Sequence, residues 1–277
     1  MKNLFVTGGT GFVGSHFIKK ALKEGYFIYA TSRKRKKNKK NIEWLKGNFS
    51  YNWKRQLKNS DILIHFASAG VYNKNLSYEY IFNVNVVESI KLLINAINSG
   101  CKRWIIIGSC SENIFESNGN KLNIYNSNSN FNYALSKFLF SSLVAIIAKK
   151  FRCKCHIMKL FQVYGYGEKK GRLWTSLVNA AKKGKNLNLS RGYQKRDFIS
   201  VGDAVKLIIN SLQKFNKSSK SYVNYSHIAT GNNITVKDFS KKIWKKMKAR
   251  GRLNFGKLKN ADYSDYLSKK KLILKYK

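Results

Sequence analysis

The chain opens on a short apolar strand that runs straight into glycine: Leu4-Phe5-Val6, then Thr7-Gly8-Gly9-Thr10-Gly11-Phe12-Val13-Gly14, then a helical stretch. No other segment constrains the fold as tightly, because each of three evenly spaced glycines answers a separate steric need of a bound pyrophosphate. Gly8 permits the tight strand-to-helix turn, Gly11 lets backbone N–H groups approach the phosphates, and Gly14 lets the helix pack close to the strand. The helix N-terminus adds unpaired N–H donors and a partial positive charge. Gly8, Thr10, Gly11, Phe12, Val13 and Gly14 are therefore expected to cradle a nucleotide cofactor. A glycine triplet also serves ordinary turns, so its flanking strand and the motifs further along carry the weight.

Strand and helix signals then alternate. A helix over Ser15–Lys23 ends at Gly25, and strands follow at Tyr26–Thr31, near Trp44–Phe49, at Asp61–Ala67, Arg103–Gly108 and Cys155–Val163. Helices are expected at Asn52–Lys58, Tyr80–Asn98 and Asn132–Lys150, with a polar loop near Ser117–Asn130. This alternation predicts an α/β fold, a doubly wound parallel sheet with helices on both faces. Past Tyr164 the elements shorten and mix, with helices near Leu173–Lys183, Asp203–Leu212 and Val236–Lys248. The expected organisation is a dinucleotide-binding domain over 1–165 and a small α/β substrate lobe over 166–277, with interleaved elements.

Tyr133-Ala-Leu-Ser-Lys137 supplies the chemistry. Residues four apart share a helix face, so phenol and ammonium are expected to enter one site. A neighbouring ammonium favours the phenolate, which makes tyrosine usable as a proton donor or acceptor near neutral pH.

Together these segments resemble the extended short-chain dehydrogenase/reductase family, in particular its NAD(P)-dependent nucleotide-sugar epimerases, dehydratases and 4-ketoreductases. The resemblance spans nearly the whole length. His65-Phe66-Ala67 resembles the family's strand end, which implicates Ala67 in the cofactor site, and Asn85 matches its helix asparagine. Leu160-Phe161-Gln162-Val163-Tyr164-Gly165 looks like the strand leading to the sugar, with Gln162 where asparagine is usual. Arg196-Asp197-Phe198-Ile199-Ser200-Val201-Gly202-Asp203 resembles the stretch whose arginine contacts the nucleotide diphosphate, and Thr230-Gly231-Asn232 with Thr235-Val236 resembles a later family segment. The resemblance implies that Tyr133 is general acid/base and that Lys137 lowers its pKa and holds the nicotinamide ribose. The hydroxyl partner of the reacting oxygen falls on Cys110, a weak donor, with Ser109 or Ser111 as substitutes and plain packing as the alternative for the thiol. Glu112 falls where some dehydratases place an acid, and either meets substrate or is simply solvated. Arg172 and Arg196 are candidates to clamp a diphosphate, since guanidinium offers paired donors. Where the family carries a further phosphate-binding arginine, this chain has Lys259-Asn260-Ala261.

Cofactor choice follows from the end of the second strand, Thr31-Ser32-Arg33. A carboxylate there would bind the ribose 2′-hydroxyl and disfavour a 2′-phosphate, whereas arginine accommodates it. No acidic residue occurs between Glu24 and Glu43, so NADP(H) is expected over NAD(H), with Ser32 and Arg33 near the ribose. Asn48, where the family often has aspartate, is expected near the adenine.

The net charge of +41, from 54 basic and 13 acidic residues, raises nucleic acid as a partner. Only Arg33–Lys40 forms a dense block; the other lysines spread over helix faces, so a solvated basic surface is expected rather than a nucleic-acid site. A non-catalytic protein using that surface to bind a partner is the competing class, and intact Tyr133 and Lys137 argue against it. The absence of proline has no physical explanation here. Cys101, Cys110, Cys153 and Cys155 lack metal-ligand spacing, and no metal site is expected. Without a signal peptide or a membrane-length apolar run, a soluble, reduced cytoplasmic setting is expected. The family further implies a homodimer built from the Asn85 and Tyr133 helices. The reaction stays open between 4-keto reduction of a nucleotide-diphospho-sugar and epimerisation or 4,6-dehydration with a recycled cofactor.

Overall fold

A computed structural model of the chain describes residues 2–71, 76–115, 131–215, 223–258 and 267–274. Seven strands form one sheet, all pairs parallel, in the order β10-β6-β5-β4-β1-β2-β3. They are β1 (Asn3–Thr7), β2 (Phe27–Ser32), β3 (Ile42–Lys46), β4 (Ile62–His65), β5 (Arg103–Ser109), β6 (Lys154–Leu160) and β10 (Val223–Ile228). A parallel sheet is covered on both faces, so its strands must be apolar on both. Side chains alternate accordingly. Leu4, Val6, Ile62, Ile64, Ile105 and Ile107 enter one core, while Phe5, Leu63, Trp104 and Ile106 enter the other.

The first core is closed by α1 (Phe12–Lys23) and α7 (Val201–Phe215), which pack on each other. The second is closed by α4 (Glu88–Asn98) and α5 (Phe131–Lys150) through Leu92, Leu93, Phe140 and Val144. Cys153 and Cys155 share that face. Two short helices, α2 (Lys54–Lys58) and α3 (Tyr78–Phe82), precede α4. The single helix expected over Tyr80–Asn98 is interrupted, because Asn83–Val87 forms a π turn between α3 and α4. Residues 78–98 and 131–150 are long and apolar enough to cross a membrane, yet both stretches pack against the sheet in this fold.

The strand expected over Cys155–Val163 also breaks. Phe161 bonds back to Ile228, and β7 (Gln162–Tyr164) leaves for a second sheet, β11-β9-β7, with β9 (Lys195–Ser200) and β11 (Asn233–Thr235). A two-stranded parallel pair, β8 (Leu187–Leu189) with β12 (Leu253–Phe255), and the helices α6 (Leu173–Lys182) and α8 (Val236–Lys246) complete this lobe. Its core is Leu177, Val178, Phe239 and Ile243, with Phe198 stacked on Phe239 at 3.7 Å. No clean boundary lies at residue 165, since α7 and β10 return to the large sheet. The buried Asp197 carboxylate pins the lobe's edge by accepting from Thr230 N and Oγ1, Gly231 N and the Ser268 hydroxyl. The expected loop near Ser117–Asn130 and the Lys259-Asn260-Ala261 segment lie outside the described residues.

His65 and His156 are sealed in the sheet. His65 shares hydrogen bonds with the Thr7 and Ser89 hydroxyls, His156 with Ser226 and Ser211. Burial, joined by the Lys137 charge for His65, pushes His65 down to about 3, and burial pushes His156 down to about 4. The unfolded chain binds these protons near pH 6.5 and the native state does not, so stability is full above that pH and falls as the pH drops. Unfolding free energies measured in urea at pH 7 and pH 4.5 should differ by roughly 2–3 kcal/mol per histidine. His156→Gln should remove its share of that slope; an undiminished slope would contradict the assignment.

Candidate functional site

The carboxyl ends of β1, β2, β4, β5 and β6 open into one cleft of about 930 Å³, lined by Gly8, Thr10, Gly11, Phe12, Val13 and Gly14 at its base. This is the switch point of the sheet, where connections from neighbouring strands run to opposite faces. Gly8 has φ +68°, and a methyl there would sit 2.5 Å from the Ala67 backbone nitrogen. A methyl on Gly14 would collide with the Gly8 carbonyl oxygen, so helix and turn touch directly. A methyl on Gly11 would meet only the Gly8 carbonyl oxygen, at 3.2 Å, and Gly11 caps α1 with no side-chain acceptor on the first N–H groups. An open concave backbone with uncapped N–H donors fits a dinucleotide diphosphate.

One end of the cleft is walled by Ser32, Arg33, Gly47, Asn48 and Tyr51. Strand β2 ends in hydroxyls rather than a carboxylate, and the Ser32 hydroxyl donates to the Lys34 carbonyl at 2.7 Å. Asn48 reaches Glu88 at 3.4 Å, and Glu88 also accepts from the Ser50 hydroxyl, the main cause that holds its carboxyl below the usual range. Sequence reasoning missed Glu88, which lies forty residues away and enters only because α4 runs beside the turn after β3. A second basic hollow continues outward, with Arg35, Lys36, Lys37 and Lys46 around Trp44.

At the other end stand Tyr133 and Lys137, one turn apart on α5, both facing the cleft. The Lys137 ammonium donates to the Ile107 carbonyl at 2.7 Å. The Ser109 and Ser68 hydroxyls lie near the Tyr133 phenol and favour its ionised form. Burial raises its pKa well above the ordinary tyrosine value, Glu112 adds to the rise, and the two serines oppose it. Burial thus opposes the ionised phenol that the helix spacing alone would favour, and burial also draws the Lys137 pKa down.

Ser109, Cys110 and Ser111 all line the cleft with Tyr133. Ser109 ends β5, with its hydroxyl 2.8 Å from the Ser111 hydroxyl. Cys110 begins the following 3₁₀ turn and reaches the cleft edge, packed with Phe161 and Ala229. Burial pushes its thiol up to about 12, leaving a neutral small residue. Asn85, in the π turn, accepts from Ala69 N at 2.7 Å and donates to Ala69 O and the Ser136 hydroxyl; Ser136 in turn donates to the Tyr133 carbonyl. The loop bearing Ser68 and the helix bearing Tyr133 are thereby tied together.

Of the substrate-side candidates, Gln162 and Arg172 line the cleft and Ala67 joins the cofactor side, whereas Glu112 and Arg196 do not. Glu112 is fully buried beneath Ser109, and Arg196 is buried on β9 with its guanidinium donating to the Lys195 carbonyl. Both corrections share one cause, since these side chains point into the protein from the strand or turn that carries them. Arg172 is 3.4 Å from Glu168, a buried carboxylate whose pKa is raised by burial and whose Oε2 has no hydrogen-bond partner in the protein. Among the described residues no cluster of His, Cys, Asp or Glu could hold a metal.

Known proteins place this arrangement. The NAD dependent epimerase/dehydratase family model matches residues 4–224. The CDP-abequose synthase of Salmonella muenchen is 25% identical over 261 residues, covering 92% of this chain and 84% of that protein. The UDP-glucose 4-epimerase of Vibrio cholerae is 27% identical over 223 residues, 76% of this chain and 66% of that one. The solved structure of MoeE5 in complex with UDP-glucuronic acid and NAD shares the fold at a TM-score of 0.79 and 20% identity, over 96% of this chain and 89% of that chain. With a glycine turn shaped for a diphosphate at one end of the cleft and a tyrosine–lysine pair at the other, the chain belongs to the NAD-dependent epimerase/dehydratase family of nucleotide-sugar enzymes.

Proposed function

We propose that the protein reduces a 4-keto group on a nucleotide-diphospho-sugar with NADP(H) as the hydride source. One observation carries this reading: the Tyr133 phenol lines the cleft beside Lys137 and Ser109, in surroundings whose burial favours its protonated form. A protonated phenol is ready to give a proton to a carbonyl oxygen, while the reverse oxidation of an alcohol needs a phenolate that burial disfavours. The nicotinamide, when bound, supplies hydride to the carbonyl carbon. Tyr133 delivers the proton to the oxygen, so the ketone becomes a secondary alcohol and charge balances. Ser109 and Ser68 orient the phenol, and the Ser109–Ser111 hydroxyl pair offers a path by which it regains a proton. Lys137, tied to Ile107, is placed to hold the ribose hydroxyls.

Glycine-turn N–H groups are expected to carry the diphosphate of the cofactor, and Arg33 beside carboxylate-free β2 supports a 2′-phosphate there. Gln162 and Arg172 are the groups that would meet the sugar nucleotide. Relatives named for CDP-abequose and UDP-glucose favour that substrate class. The alternative, epimerisation or dehydration with a retained cofactor, draws on the epimerase relative. Dehydration is disfavoured because Glu112 is buried away from the cleft.

A homodimer is the proposed assembly. Val87 and Ile94 on one side, and Leu139, Leu143 and Ile146 on α5, present exposed apolar side chains at helical spacing, a stripe suited to a second copy. Four free, buried cysteines fit a reducing cytoplasm.

NADPH oxidation followed at 340 nm with CDP- and UDP-linked 4-keto-6-deoxyglucose should show stoichiometric consumption; product formation without net cofactor change would replace reduction by epimerisation. Tyr133→Phe should lower turnover at least about 100-fold while NADPH binding, read by fluorescence, stays intact. Ser109→Ala should cost about 10-fold or more, and Cys110→Ala should stay within about twofold; the opposite order would return the partner role to the thiol. Ile146 is 62% exposed, and Ile146→Lys should convert the dimer to a monomer in light scattering, whereas an unchanged mass would place the interface elsewhere.

A further inference from the structure

Directly under Ser109 lies a buried charge cluster that the mechanism above does not use. Glu112 is 0% exposed and accepts the Ser109 backbone N–H on Oε1 at 2.6 Å. Its other oxygen, Oε2, has no hydrogen-bond partner and faces the Lys159 ammonium at 3.8 Å. Lys159 is itself buried on β6, opposite Gly108 in the β5–β6 register, and donates to Asn113 at 3.3 Å. Lys137 acts on the same carboxylate from α5. Gly108 makes the cluster possible: a methyl there would lie 2.8 Å from Glu112 Oε1. Removing a carboxylate this deep from water is costly unless cations and donors compensate. The chain supplies two ammonium groups and a backbone donor, all within reach of the residue that touches the phenol.

We propose that Glu112 is a positioning residue for the reaction: seated beside Lys159, it accepts the Ser109 backbone N–H on Oε1 and so holds the end of β5 that aims the Ser109 hydroxyl toward the Tyr133 end of the cleft. Ser109 is the last residue of β5, where the ladder to β6 ends, so its backbone needs an anchor of this kind. The groups that act with the carboxylate are Lys137, Ser141 and Tyr133 from α5, Lys159 from β6, and Cys110 on its own turn. Burial raises the Glu112 pKa while Lys137, Lys159 and the Ser109 N–H pull it down, and the carboxylate in turn raises the pKa of the phenol. The inference rests on Tyr133 being the proton donor.

The test joins a readout that needs no turnover to one that does. In the cofactor-free protein, hydrogen exchange at the Ser109 amide should quicken at least 10-fold in Glu112→Ala and stay near wild type in Glu112→Gln, which keeps an acceptor. With NADPH and CDP-4-keto-6-deoxyglucose, Glu112→Ala should lower kcat 10- to 100-fold with KM and NADPH affinity within twofold. Adding it to Ser109→Ala should cost less than a further twofold, because both act through one hydroxyl. Should Glu112→Ala fail to fold, Gly108→Ala, which displaces the same oxygen, carries the comparison with the same expected losses. Unchanged amide exchange, or full additivity of the two losses, overturns the proposal. Retained turnover in Tyr133→Phe would instead sink the reaction assigned above, and the amide readout would still decide the role of Glu112.

Discussion

Close contact between glycine and backbone governs this molecule. Where Gly14 meets the Gly8 carbonyl and Gly8 meets the Ala67 amide, three segments (the end of β1, the start of α1 and the loop after β4) come closer than any side chain would allow. That contact sets where α1 begins, and hence where its unpaired N–H groups point. It also brings the β4 loop, with Ser68, beside the β5 end, with Ser109. The cofactor cradle and the two hydroxyls on the phenol thus derive from one steric constraint, paid by residues that carry no chemistry of their own.

Around that contact the sheet separates dry from wet. Its interior is apolar on both faces, while nearly all the reactive groups stand on the carboxyl-terminal rim. The exceptions are informative. Lys137, Lys159, Glu112 and His65 are buried in a chain whose cations are otherwise overwhelmingly exposed. Each is held by specific partners, and Glu112 among them acts on Tyr133. The large net charge of the surface and the small balanced cluster inside are separate matters: the first is screened by salt, the second is not.

Much of this was legible in the residues. The glycine turn, the alternation of strand and helix, and the Tyr133–Lys137 spacing each have a local signature, and each prescribes its structure without help from distant segments. Other features had none. Whether Ser109 or Cys110 meets the phenol depends on where β5 ends and the 3₁₀ turn starts, a matter of one residue, and a one-residue shift exchanges the faces of a strand. Glu112 and Arg196 match motif positions, but motif matching carries no direction of burial. The upward pull of burial on the Tyr133 pKa follows from its enclosure in the fold, which spacing along one helix cannot convey. Glu88 and Glu168 enter the cleft from remote segments without any motif to mark them.

The π turn at Asn83–Val87 has a consequence for how this region tolerates change in length. A π turn holds one residue more than an α-helix needs to cover the same path. Removing a single residue there would let α3 and α4 merge into a regular helix over the same path, with the flanks kept in phase and the change confined to the turn that carries Asn85. Asn85 would then lose either Ala69 or Ser136, and the loop and helix that flank the phenol would come apart. A helix kept irregular by one surplus residue is the clamp that keeps two halves of the catalytic rim in step.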